Sequence, residues 1–91
     1  MNIYIKYGDN NKQLIRIKNY ESINSIINNY LIKNNINDNE IDDYFLDYNG
    51  KYLNKNFSIE KYNLKEETIL TINKKKKGGS AFLILQIKIH I

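Results

Sequence analysis

The spacing of apolar residues changes several times along this chain, and each change marks an element. Met1, Ile3 and Ile5 alternate with Asn2, Tyr4 and Lys6, the period of two expected of a half-buried strand. Gly8-Asp9-Asn10-Asn11 is turn chemistry, because glycine and asparagine tolerate positive φ. Leu14-Ile15-Arg16-Ile17 then reads as a second strand, hairpin-paired with the first. From Ser22 the period lengthens. Ile23, Ile26, Ile27, Tyr30 and Leu31 fall at offsets 0, 3, 4, 7 and 8, a single apolar stripe on a helix. Ser22 suits the N-cap, and Asn34-Asn35 suit the left-handed residues that close a helix. β-Branched isoleucines are mediocre helix formers, so this helix depends on packing its stripe against a sheet.

Residues 37–43 are a polar, acidic connection. Tyr44 to Tyr48 follows as a strand, and Asn49-Gly50 predicts a type I′ turn into Lys51-Tyr52-Leu53. Ser58 to Tyr62 predicts one helical turn opened by a serine cap, and Thr68 to Asn73 a final strand. On that strand Leu70 and Ile72 share one face, Thr71 and Asn73 the other. Ile3, Ile5, Ile15, Ile17, Ile23, Ile26, Ile27, Leu46, Leu53, Leu70 and Ile72 are the expected core.

Composition narrows the chemistry. Ninety-one residues make one small domain, and 42% hydrophobic content suffices to fill its core. Asparagine, isoleucine and lysine make up about half of the chain, a bias better explained by an A+T-rich coding sequence than by function. With no cysteine, disulfides, thiolate metal sites and thiol nucleophiles are excluded. The single histidine, His90, stands next to last, where no general base on a rigid scaffold is expected. The net charge of +4 comes from one run, Lys74 to Lys77; without it, ten basic residues face ten acidic ones. Such a run is a solvated segment, a nuclear-import signal or a weak polyanion contact. No aromatic-basic interleaving marks a single-strand nucleic-acid surface. Residues 81–91 are apolar, but a membrane span needs about 20 such residues, and Met1 to Lys6 is no signal-peptide block. These features point to a soluble, intracellular module that is not an enzyme and needs no cofactor or metal.

The order strand, strand, helix, strand, short strand, strand resembles an α+β β-grasp, a mixed sheet packed on one helix, and the local sequence resembles the ubiquitin family. The matching stretches are Met1 to Lys6, Ser22-Ile23, Ile36, Asn49-Gly50-Lys51-Tyr52-Leu53, Ile59 to Leu64, Glu67 to Ile72 and Gly78-Gly79. They cover residues 1–79, with a small insertion near 37–42. The resemblance implies a domain over 1–79, of which 74–79 is a flexible tail ending in the diglycine, and a C-terminal extension, 80–91, as a possible propeptide.

The same resemblance implies chemistry done to this chain rather than by it. A processing protease would cut after Gly79, and an activating enzyme would use ATP to adenylate the freed carboxylate. The acyl group would pass through thioesters of activating and conjugating enzymes to lysines of target proteins, in the cytoplasm or nucleus. Two glycines suit a tail that threads a narrow enzyme channel, because no Cβ collides there. Gly78-Gly79 also reads as a plain linker before a last strand. Lys6 and Lys51 align with chain-acceptor lysines and equally read as ordinary surface lysines. Tyr62 is expected to be a partly buried phenol bonded to a loop backbone group.

Departures from the family concern recognition. In ubiquitin a patch of Leu, Ile and Val binds receptors; the aligned positions here are Gly8, Asp47 and Asn73. A carboxylate pressed into an apolar receptor pocket costs several kcal/mol, so ordinary ubiquitin receptors are not expected to bind. This face is expected to be polar and mixed in charge, holding partners through hydrogen bonds and charge pairs. A monomer is expected, with neither nucleic acid nor membrane as partner. A non-conjugated ubiquitin-like adaptor and a β-grasp sulfur carrier are the alternatives.

Overall fold

The computed structural model describes residues 1–36 and 41–75. Strand β1 (Asn2–Tyr7) turns at Gly8, whose φ is 57°, into β2 (Gln13–Arg16). The turn is closed by the Asn10 N–H donating to Tyr7 O at 3.0 Å. The two strands pair antiparallel, with Ile3 opposite Ile15 and Tyr4 opposite Leu14.

Helix α1 (Ile23–Lys33) begins and ends on side-chain chemistry that the sequence carries. Ser22 Oγ accepts the Ser25 N–H at 3.1 Å, satisfying one of the first-turn donors. At the other end Asn35 takes φ of 58°, while Asn34 stays at −96° and uses its side-chain amide on Tyr30 O at 2.8 Å. The N–H groups of Asn35 and Ile36 donate to Ile32 O and Leu31 O, which makes a Schellman closure and returns Ile36 to the core. All five stripe residues, Ile23, Ile26, Ile27, Tyr30 and Leu31, are buried.

A 3-10 turn (Ile41–Asp43) leads into β3 (Tyr44–Tyr48), and Asn49 and Gly50, at φ 52° and 86°, form the hairpin turn to β4 (Lys51–Tyr52). A second 3-10 turn (Ile59–Tyr62) follows. Ser58 stands at its N-cap position, but its hydroxyl makes no capping bond. The segment is instead clamped to the start of α1 through its backbone. The Ile59 N–H donates to Glu21 O at 2.8 Å and the Ile23 N–H to Phe57 O at 2.9 Å. As expected, the Tyr62 hydroxyl accepts a backbone N–H, from Asn54 at 2.6 Å.

Strand β5 (Ile69–Lys74) enters the middle of the sheet, parallel to β1 and antiparallel to β3, giving the order β2-β1-β5-β3-β4. This five-stranded mixed sheet with one helix across a single face is an α+β β-grasp. Leu70, Ile72, Ile3, Ile5 and Leu46 line the inner face against the α1 stripe. Of the expected core only Ile15 is less than buried, because β2 is an edge strand. Tyr44 and Ile59 join the core without having been expected there. Lys74 belongs to β5 opposite Tyr44, and the Lys75 N–H donates to Asp43 O at 2.7 Å. Of the tail expected over 74–79, Lys74 thus pairs with β3 and Lys75 bonds to the end of the first 3-10 turn, while 76–79 lie outside the described residues.

Candidate functional site

With the helix on one side, no described element covers the other side of the sheet, and strand parity decides what it displays. Ile3 and Ile5 point inward, so Asn2, Tyr4 and Lys6 point outward. By the same alternation Ile69, Thr71 and Asn73 of β5 and Phe45 and Asp47 of β3 face out. Register aligns Lys6, Thr71, Asp47 and Tyr52 in one row across four strands, and sets Asn73 opposite Phe45.

The three recognition positions gather at one end of this face. Asp47 and Asn73 are diagonal neighbours on β3 and β5, and Gly8 follows Tyr7, which lies beside Ile72. Gly8 is exposed, and a Cβ there would meet nothing within 4 Å, so only its positive φ resists replacement. Asp47 is not a free charge: its Oδ1 accepts the Gly50 N–H at 2.8 Å, bracing the hairpin turn. Of the two candidate acceptors, Lys51 is exposed beside that turn, and Lys6 is half-buried in the four-strand row. Gly78, Gly79 and the extension 80–91 lie outside the described residues.

The expectation of a polar face needs correction. Phe45 and Tyr52 stack across the β3–β4 hairpin, with ring centroids 5.1 Å apart and planes 17° from parallel. Lys55 covers the Phe45 ring at 4.2 Å and donates its ammonium to Asp42 O. Burial lowers the Lys55 pKa, against the opposing pull of Asp42 and Asp43. Tyr52 remains 53% exposed. This end of the sheet thus presents aromatic surface beside the Asp47 carboxylate and the Asn73 amide. Phe45 and Tyr52 are the residues that sequence reasoning missed. Parity on β3 already turned Phe45 outward once Leu46 was placed in the core, but the diagonal pairing with Tyr52 depends on hairpin register.

Among the described residues no three His, Cys, Asp or Glu side chains converge as a metal site, and no helix is long and apolar enough to cross a membrane.

No family model matches the chain, and no curated protein matches it. Among solved structures, it is similar to a chain in the crystal structure of the pParkin-pUb-UbcH7 complex. The TM-score is 0.72 at 16% identity, over 82% of this chain and 23% of that one. This chain thus spans less than a quarter of its neighbour's length. At that identity the likeness is one of fold, and the fold is the ubiquitin-like β-grasp.

Proposed function

We propose that this chain is a ubiquitin-like protein modifier, cut after Gly79 and joined through the freed glycine carboxylate to lysines of target proteins. One conjunction supports the reading: a ubiquitin-like β-grasp followed, three residues past Lys75, by Gly78-Gly79. Strand β5 ends at Lys74, at the end of the sheet that carries Gly8 and Asn73, four residues before Gly78 in the sequence. In this reading the chain catalyses nothing and holds no cofactor. ATP is consumed by the activating enzyme, and the partners are activating and conjugating enzymes, a processing protease and lysine-bearing targets in the cytoplasm or nucleus. Lys6 and Lys51 are then candidate acceptors for chain building.

The adaptor is the second reading, favoured by the exposed Tyr52 ring stacked on the half-buried Phe45, a surface that needs no free glycine to bind a partner. Intact mass separates the two. Residues 1–91 are incubated in an extract of the source cell, alongside Gly79→Ala. The modifier loses residues 80–91 while the variant keeps them; a wild-type chain that stays whole favours the adaptor.

A further inference from the structure

The corner of the outer face away from the Phe45–Tyr52 pair carries a surface of its own. Register places Leu14 of β2, Tyr4 of β1 and Ile69 of β5 in one row. Leu14 is 49% exposed and Ile69 is 48% exposed. A single exposed aliphatic residue is ordinary; three apolar side chains abreast form a contiguous patch, about 10 Å across at sheet spacing.

Cations flank this row on both sides. Lys6 and Lys12 line a cleft of about 290 Å³ whose wall includes Ile69 and Asp9. Lys12 Nζ also sits 4.4 Å from the Tyr4 ring centroid. On the other side Arg16 stands opposite Asn2, whose N–H donates to the Glu66 carboxylate. Glu67 borders that same edge, its N–H donating to Asn2 O at 2.8 Å, so the positive balance lies on the cleft side, where Lys6 and Lys12 meet Asp9.

We propose that this corner is a second docking surface, for an acidic segment of a partner protein in which carboxylates alternate with apolar side chains. A carboxylate enters the cleft between Lys6 and Lys12 while its apolar neighbours cover the exposed Leu14 and Ile69 on either side of the Lys12-covered Tyr4 ring. A phosphate backbone would satisfy the cations but not the row. Lys12 already lies over the Tyr4 ring, and Leu14 and Ile69 offer bases no aromatic plane to stack on. The surface is built from residues between Asn2 and Ile69, so the proposal does not rest on the modifier reading.

The test is fluorescence anisotropy on the full chain with a short labelled peptide alternating glutamate and leucine. Comparison probes carry lysine for glutamate or serine for leucine, and labelled oligothymidine serves as the nucleic acid. The Glu/Leu peptide should bind at micromolar concentration and weaken as salt rises. Leu14→Ser with Ile69→Ser, and separately Lys6→Glu with Lys12→Glu, should each weaken binding by about tenfold or more, while Tyr52→Ser changes it less than about twofold. Amide shift mapping on the wild-type chain should place the largest changes at Tyr4, Leu14 and Ile69, a readout that needs no variant to fold. No saturation by about 1 mM, equal binding of the lysine or serine peptides, tighter binding of oligothymidine, or shifts centred on Phe45 and Tyr52 would each overturn the proposal.

Discussion

Helix α1 offers a controlled test of the packing, because it carries isoleucine both in its stripe and on its free side. Ile26 is 1% exposed and Ile32 is 65% exposed, six positions along the same helix. Ile26→Ala removes three carbon atoms from the interface with the sheet, a transfer loss of about 2.4 kcal/mol at roughly 0.8 per group. The cavity left behind adds to this, while alanine's better helix propensity returns a few tenths of a kcal/mol. The expected cost is about 2–5 kcal/mol, a large part of the stability of so small a domain. Ile32→Ala removes the same atoms from a position that water already reaches, so its expected effect lies within about 0.5 kcal/mol of zero. Urea denaturation followed by far-UV circular dichroism measures both. At a slope of about 1–1.5 kcal/mol per molar, Ile26→Ala should lower the midpoint by more than 1 M. A cost below about 1 kcal/mol for Ile26→Ala, or equal costs for the two variants, would refute the assignment of the stripe to the core.

Three further outcomes follow from individual contacts. Asp47→Ala removes the acceptor that braces Gly50 and should cost about 0.5–1.5 kcal/mol by urea denaturation, which would mark this residue as part of the turn as well as of the surface. Tyr62→Phe deletes the oxygen that accepts the Asn54 N–H and should cost about 1 kcal/mol, with the Asn54 amide exchanging faster by hydrogen-exchange NMR. Tyr30 has its pKa raised above the ordinary 10.0, first by burial and then by Tyr7. The folded chain holds a phenol proton that the unfolded chain releases, so stability falls as pH rises past 10; Tyr30→Phe should show a shallower loss in alkaline urea titrations.

How much of this was legible in the sequence depended on whether a local rule decided the outcome. The α1 stripe and its Ser22 cap follow from helical period and capping chemistry, and Asn49-Gly50 from the twist of the hairpin. The inner residues of β1, β3 and β5 follow from period two. Where position in the sheet decided, the sequence was silent: Ile15 carries the same pattern as Ile3 but sits on an edge strand. Ile59 is buried by elements distant in sequence, and clamping to α1 rather than its own cap holds the turn at Ser58, whereas Tyr44 shares the inward parity of Leu46 and was legible from it. The aromatic pair and the Leu14–Tyr4–Ile69 row arise only when register joins strands far apart in the chain. The recognition positions were legible as positions, but their surroundings were not.

The modifier reading is tested most directly by isolating covalent adducts. An epitope-tagged chain is expressed in the source cell, purified under denaturing conditions and examined by immunoblot and mass spectrometry. The expected result is a ladder of higher-mass species that depends on ATP, vanishes with Gly79→Ala, and yields peptides in which Gly79 is joined to a target lysine. A tagged wild-type chain recovered only at its free mass, in cells that conjugate other modifiers normally, would contradict it.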